Sequence, residues 1–108
     1  NKLDNEFIEK INQLIEARFS SEKIDIGYLA DNMCMSKSTL YRKMKALTGL
    51  STNEYVRKIK MQHAERLLLE GRYNISEVAF RVGINSVVYF RQCFKEEFGV
   101  LPSEYLKQ

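Results

Sequence analysis

The 108-residue sequence predicts an all-α fold of about seven helices, in which two helix-turn-helix subdomains are joined by a long linker helix. Apolar residues recur at helical spacing along most of the chain, no alternating pattern persists that would indicate strands, and the only proline is Pro102. The order of short helix, tight turn and second helix also occurs twice, at an offset of about 49 or 50 residues. We therefore expect residues 1–108 to form a single domain with an internal repeat.

A predicted helix at the start of the chain precedes the repeat. Asp4 is expected to cap this helix, and a polar gap at Ser20 and Ser21 follows it. Its apolar stripe is formed by Phe7, Ile8, Ile11, Leu14, Ile15 and Phe19.

The first helix-turn-helix is predicted over residues 25–49. Asp25 is expected to cap a short helix that ends near Met33, and Ser36 to cap the second helix, which ends at Gly49. On a helical wheel, the buried stripe of the second helix contains Leu40, Met44 and Leu47. The outward side carries Ser38, Arg42 and Lys45, with Tyr41 on one flank and Thr39 and Lys43 on the other.

A linker helix over residues 51–70 is expected to pack between two lobes, because its apolar residues lie on two sides. One side carries Tyr55, Val56 and Ile59, and the other carries Met61, Ala64 and Leu68. The second helix-turn-helix follows over residues 74–99, with one extra residue in its turn. Its second helix is expected to place Val87, Phe90 and Phe94 inward, and Val88, Gln92 and Lys95 outward with Arg91 beside them.

Positive charge is concentrated in the middle of the chain. The formal net charge is only +3, but residues 26–72 contain nine basic and four acidic side chains, a net charge of +5. Residues 1–25 carry −2 and residues 73–108 carry zero. The stretch 36–45 contains Lys37, Arg42, Lys43 and Lys45 and no acid. A basic patch of this kind attracts a polyanion more strongly than the small net charge indicates.

The two outward faces suit double-stranded DNA. The major groove admits an α-helix, and there arginine binds guanine edges, glutamine adenine edges and an apolar side chain the thymine methyl group, which fits Arg42, Gln92 and Val88. Phosphates position a helix without reading sequence, and the residues expected to contact them are Ser36, Lys37, Thr39, Lys43, Lys45, Ser86 and Lys95. A linker helix of about 20 residues spans ~30 Å, which is close to the ~34 Å between successive major grooves on one face of DNA.

The same residues resemble the AraC/XylS-type DNA-binding domain of bacterial transcription regulators over nearly the whole chain. The stretches that carry the resemblance are LA at 29–30, MSKSTLYRKMKALTG at 35–49, YVRKIKMQHAERLLL at 55–69, ISEVAFRVGI at 75–84, YFRQCFKEEFG at 89–99 and PSEY at 102–105. The first helix and the phrase LYRKMKALTGLSTNEYVR resemble in particular the C-terminal domains of hybrid two-component regulators of gut Bacteroidetes.

The resemblance implies sequence-specific binding of promoter DNA by both reading helices in adjacent major grooves, with recruitment of RNA polymerase. By position, the base-reading residues would be Ser38, Tyr41 and Arg42 in the first helix and Val88, Arg91 and Gln92 in the second. The domain would be cytoplasmic and the output part of a longer signalling chain with sensor and receiver domains. That parent could carry histidine kinase activity and an inner-membrane anchor. Departures from the usual family residues stand at Lys60, Ile84, Val88 and Gln92.

Two other functions stay open from the sequence. An enzyme is disfavoured, because the only histidine is His63 and neither a glycine-rich phosphate loop nor metal-ligand spacing occurs. We therefore expect no catalytic residue, metal, cofactor or small-molecule ligand. A helical protein-interaction module is the stronger alternative, because amphipathic helices also dock partner proteins. Cys34 and Cys93 are expected to be buried free thiols of a reduced cytoplasmic protein.

Overall fold

The computed structural model of the protein describes residues 1–21 and 24–107. Seven α-helices occur in this part of the chain, which contains no strand: α1 (Lys2–Glu16), α2 (Ile26–Asn32), α3 (Lys37–Thr48), α4 (Thr52–Glu70), α5 (Ile75–Arg81), α6 (Val87–Phe98) and α7 (Pro102–Tyr105). The predicted all-α fold is confirmed. No helix in the described ranges combines the length and the apolar character needed to cross a membrane.

The helices are distributed over two compact units. The first unit contains α1, α2, α3 and the start of α4 as far as Val56, and the second contains the rest of α4 from Arg57 together with α5, α6 and α7. Phe19 to Ser21, which follow α1 in the chain, also belong to the second unit. Each unit therefore contains one of the two helix-turn-helix segments.

The internal repeat is visible in the main chain of both units. Ser36 and Ser86 cap α3 and α6, and each hydroxyl oxygen accepts a 3.1 Å hydrogen bond from the main-chain N–H three residues later. Both helices have 12 residues and end at a glycine in the left-handed conformation, with φ of 76° at Gly49 and 81° at Gly99. Equivalent side chains are also buried alike, since Leu40 and Phe90 are both fully inaccessible to solvent.

The start of α1 differs from the prediction. Asn1, not Asp4, is the N-cap, and its side-chain Oδ1 accepts a 3.0 Å hydrogen bond from the main-chain N–H of Asp4. Asp4 instead lies in the first turn, where a negative charge interacts favourably with the helix dipole. The helix also ends at Glu16, so Phe19 lies beyond it. Apolar periodicity located the buried side of α1 but not its ends.

The core of the first unit forms where α1 packs on α2 and α2 packs on α3. Its buried residues include Phe7, Ile11, Ile15, Leu29, Ala30, Leu40, Met44, Tyr55 and Val56. The phenol of Tyr55 donates a 2.6 Å hydrogen bond to Oδ1 of Asn12 on α1. Burial raises the pKa of this phenol above its usual 10.0.

The core of the second unit forms where α5 packs on α6 and α6 packs on α7. Its buried residues are Met61, Ala64, Leu68, Val78, Ala79, Val82, Ile84, Phe90, Cys93 and Phe94. Tyr105 holds the place of Tyr55 in the repeat, and its hydroxyl donates a hydrogen bond to the carboxylate of Glu65 on α4. Its ring meets the ring of Phe94 edge-on, with 5.5 Å between the centroids.

One of the two cysteines is not where the sequence predicted it. Cys93 is buried, but Cys34 is exposed, so the prediction of two buried thiols is wrong for Cys34. Cys34 lies in the turn between α2 and α3 with φ at 58°. This left-handed conformation is typical of the residue that terminates a helix, and here it directs the side chain to the surface although the sequence neighbours are apolar.

Candidate nucleic-acid interface

The outward face of α3 is held in place by a buried stripe on the opposite side of the helix. Leu40 and Met44 are fully buried, and Leu47 is half-buried. The exposed residues on the other side are Ser38, Tyr41, Arg42 and Lys45, as the helical wheel predicted. Because rotation of α3 would expose two fully buried side chains, its outward face has a fixed direction within the first unit.

The outward face of α6 is arranged in the same way within the second unit. Phe90 and Phe94 are fully buried, Val87 is half-buried, and the exposed residues are Val88, Arg91, Gln92 and Lys95. Val88 is 70% exposed, a high fraction for a valine next to a packed core. Four exposed positions on the outward face of α3 therefore have an exposed counterpart on α6, 50 residues later: Ser38, Tyr41, Arg42 and Lys45.

The N-terminal turn of α3 contains a chain of side-chain hydrogen bonds. The hydroxyl of Ser36 donates a 2.9 Å hydrogen bond to Oγ1 of Thr39, and the guanidinium Nη2 of Arg42 donates a 3.3 Å hydrogen bond to the same oxygen. Oγ of Ser38 lies 3.3 Å from Oγ of Ser36. Three predicted contact residues are thus connected to Arg42 before any ligand is bound.

Two of the three lysines of α3 have partners within the first unit. The ammonium of Lys43 lies 4.9 Å from the ring centroid of Phe7, and that of Lys45 donates a 3.2 Å hydrogen bond to the main-chain oxygen of Gly49. Both side chains are exposed, and each ammonium has three N–H donors. Each ammonium therefore keeps N–H donors for a phosphate without losing its contact with Phe7 or Gly49.

The comparisons with known proteins agree with this geometry. A family model described as a helix-turn-helix domain matches residues 29–108. The chain belongs to the AraC-type family of helix-turn-helix DNA-binding domains. Among solved structures, the C-terminal domain of AraT, a response regulator from Geobacillus stearothermophilus, is 32% identical with a TM-score of 0.81, over 94% of this chain and 84% of that one.

Two further relatives are informative for this AraC-type domain. The DNA-binding domain of AdpA, solved in complex with a target DNA, is 29% identical with a TM-score of 0.81, over 94% of this chain and 89% of that one. Histidine kinase P4 of Formosa agariphila is 31% identical over 103 residues, which are 95% of this chain and 8% of that protein. The chain spans between 32% and 48% of the length of seven further curated relatives.

Two acidic residues at the end of α6 in this AraC-type domain have cationic partners on α4. Nη2 of Arg57 lies 4.0 Å from Oε2 of Glu96, and Nζ of Lys58 lies 3.8 Å from Oε2 of Glu97. These pairs have no local sign in the sequence, because the two members of each pair are 39 residues apart. Residues 86–97 have a net charge of zero, but both of their acidic residues are paired with cations of α4. The outward face of α6 itself therefore carries the positive charges of Arg91 and Lys95.

His63, the only histidine of the sequence, is part of the packing of the second unit. The ring of His63 stacks on Phe19 at a centroid distance of 4.3 Å, with 8° between the planes. Its Nδ1 lies 3.4 Å from Nη2 of Arg66. Cys93 belongs to the buried core of the same unit. Residues 1–21 and 24–107 also contain no group of three or more histidine, cysteine or acidic residues that could hold a metal ion.

Proposed function

We propose that this AraC-type domain binds double-stranded promoter DNA sequence-specifically, with α3 and α6 each inserted into a major groove and the two grooves adjacent. The observation that carries the proposal is the position-by-position match of two exposed faces, each opposite a fully buried stripe. Base contacts are assigned to Ser38, Tyr41, Arg42, Val88, Arg91 and Gln92. Phosphate contacts are assigned to Ser36, Lys37, Thr39, Lys43, Lys45, Ser86 and Lys95.

Selection of bound sequences from a random pool of duplex DNA at controlled salt tests this function. We expect one asymmetric site with two conserved blocks about one helical turn apart. Affinity should fall linearly on a logarithmic scale of salt concentration, with a slope of about −0.9 for each phosphate neutralised. Binding without sequence preference, or a selected site with a single block, would contradict the assignment of both helices to base reading.

A protein-interaction module is the alternative function, and the exposed Val88 and Tyr41 are the observations that favour it. Exposed apolar side chains that form a contiguous patch mark a partner-contact surface, whereas single ones are common on any protein. The salt titration separates the two functions, because an apolar contact surface would show little dependence of affinity on salt. The selected DNA and a scrambled duplex of equal length serve as the matched pair.

The proposed role in the cell is that of an output domain in a longer signalling protein. The support is the short share of each curated relative that the chain spans, together with the similarity to a protein named as a histidine kinase and to a response-regulator domain. The parent chain would carry sensor and receiver domains and histidine kinase activity. It would be anchored in the inner membrane with this domain in the cytoplasm.

RNA polymerase is the proposed partner at the promoter. Transcription from a template that carries the selected site, with and without the purified domain, tests this partner. Autophosphorylation of the full parent protein with labelled ATP tests the kinase activity, and cell fractionation tests the anchor. If the domain binds DNA tightly and transcription does not change, the proposed contact with RNA polymerase is wrong and the proposed DNA binding stands.

A further inference from the structure

The hydroxyl group of Thr39 has both of its acceptor positions filled. Its Oγ1 accepts hydrogen bonds from the hydroxyl of Ser36 at 2.9 Å and from Nη2 of Arg42 at 3.3 Å. A threonine hydroxyl has two acceptor lone pairs and one donor proton, so only the proton of Thr39 stays available for a ligand. Ser36 is fixed in turn, because its Oγ accepts the main-chain N–H of Thr39 as the helix cap.

This arrangement restricts the guanidinium of Arg42. An exposed arginine has several rotatable bonds and loses rotamer freedom when it binds a base. The hydrogen bond to Thr39 removes part of that freedom before binding, which lowers the entropy lost in the complex. It uses one of five N–H donors, so four N–H groups stay available for a bidentate contact with a guanine edge.

The described residues of the second unit form no equivalent of this network. Tyr89 holds the place of Thr39 in the repeat, and Gln92 holds the place of Arg42. The side chain of Tyr89 instead interacts with Arg57 of α4 and raises the pKa of the Arg57 guanidinium above its usual value. The hydrogen-bond network of Ser36, Thr39 and Arg42 is therefore specific to α3 and does not follow from the fold that both units share.

We propose that Thr39 is a positioning residue for Arg42, which it holds ready to read a base, in addition to the phosphate contact for which its donor proton stays available. The proposal rests on the proposed function, in which Arg42 contacts a base pair. It predicts that loss of the Thr39 hydroxyl weakens discrimination at the base pair that Arg42 reads. A phosphate contact would instead contribute equally to binding of every sequence.

Thr39→Val and Thr39→Ser form the matched pair of variants. Valine keeps the β-branched shape without the hydroxyl, and serine keeps the hydroxyl. The variant Arg42→Ala first identifies the base pair at which the preference of the domain relaxes. The probes are the site selected by the wild-type domain and duplexes substituted at that base pair. We expect Thr39→Val to lower discrimination at this base pair about 2- to 10-fold, the range of one side-chain hydrogen bond. Thr39→Ser should retain it.

A double variant distinguishes failure of this inference from failure of the proposed function. In the Arg42→Ala background, Thr39→Val should cause no further loss of discrimination, because its effect passes through Arg42. If Thr39→Val weakens all duplexes equally, Thr39 contacts phosphate and the inference is wrong. If Arg42→Ala relaxes the preference at no base pair, Arg42 does not read a base, and the proposed function is wrong at this residue.

A measurement on the free protein covers the case in which Thr39→Val binds DNA too weakly. Relaxation of the Arg42 Nε–H group in NMR reports how strongly the side chain is ordered. We expect lower order in Thr39→Val than in wild type, and wild-type order in Thr39→Ser. Equal order in all three proteins would overturn the inference without reference to DNA.

Discussion

Cys34 and Gly83 occupy equivalent positions in the two turns, 49 residues apart, and both have positive φ angles, of 58° and 78°. The main-chain N–H of Cys34 bonds to the oxygen of Asp31 at 3.1 Å, and that of Gly83 to the oxygen of Phe80 at 3.0 Å. The turns differ in what lies outside them. Cys34 has an exposed side chain, whereas a Cβ on Gly83 would lie 2.1 Å from the main-chain oxygen of Ser21. The first turn therefore accommodates a side chain and the second does not.

Gly83→Ala is expected to destabilise the domain strongly. The substitution combines the left-handed conformation, about 1–2 kcal/mol for a residue with a Cβ, with overpacking against Ser21 and Phe19, about 1–3 kcal/mol. Gly49→Ala is the matched control, because Gly49 has φ at 76° and nothing within 4 Å of its Cβ position. Urea unfolding should show a larger loss for Gly83→Ala. Equal losses would mean that the segment Phe19 to Ser21 moves away at little cost.

Lys60 links the same segment to α4 and makes stability depend on pH. Its buried ammonium donates a 3.1 Å hydrogen bond to the main-chain oxygen of Ser21, and burial lowers its pKa below the usual 10.5. Between the lowered pKa and 10.5, the unfolded chain binds this proton and the folded chain does not. The free energy of unfolding contributed by Lys60 therefore rises with pH through that window.

Lys60→Met should remove this pH dependence, since methionine cannot titrate. The free energy of unfolding of wild type, relative to Lys60→Met, is expected to increase as the pH is raised towards 10.5. Urea titrations at several alkaline pH values measure the difference, and Lys10→Met, at an exposed position of α1, is the control. A difference that does not change with pH would show that the folded chain keeps the proton.

Leu40 and Phe90 are expected to contribute equivalent core packing, one in each unit, because each is fully buried at the same position of the repeat. Replacing either by alanine should lower the free energy of unfolding by about 2–5 kcal/mol. The controls are the same residue types in the same units at exposed positions, Leu3 and Phe80, for which alanine should change stability by about 0.5 kcal/mol or less. Equal melting temperatures for the core variants and the control variants would contradict the assignment of Leu40 and Phe90 to the buried sides of α3 and α6.

Much of the fold was predictable because its signals are local. Apolar spacing, the caps at Ser36 and Gly49 and the repeat located both helix-turn-helix segments. Other features depend on residues far apart in the chain, such as the pair formed by Lys58 and Glu97, and a single sequence does not show them. The bond between Thr39 and Arg42 is an intermediate case. Its spacing of three residues is visible in the sequence, but the shared acceptor is visible only in the structure.

Arg42 and Lys43 are expected to differ in what they contribute to DNA binding. Arg42→Ala should cost about 1–3 kcal/mol at one cognate base pair and relax the preference there. Lys43→Ala should weaken all sequences alike and lower the salt slope by about 1. Because the Lys43 ammonium lies over the ring of Phe7, a melt must first show that this variant is folded. Equal losses on cognate and scrambled duplexes for Arg42→Ala would exclude base reading.

The two reading helices are expected to contribute unequally to salt dependence. The stretch 36–45 carries four basic side chains, whereas the outward face of α6 carries only Arg91 and Lys95. Charge alone over residues 86–97 would predict no contribution from α6. Since Glu96 and Glu97 lie within 4.0 Å of cations on α4, we expect a smaller contribution from α6 and not its absence.

Neutralisation of each face by glutamine measures these contributions. Each lost phosphate contact should lower the salt slope by about 0.9, so replacing Lys37, Lys43 and Lys45 should lower it about three times as much as replacing Lys95, the one cation of α6 assigned to a phosphate. Val88→Ser is the charge-free control, because it should alter the preferred sequence in the block read by α6 and leave the salt slope unchanged. An unchanged slope after replacement of Lys95 would mean that Lys95 contacts no phosphate. A larger effect from α6 than from α3 would reverse the assignment of affinity to the first unit.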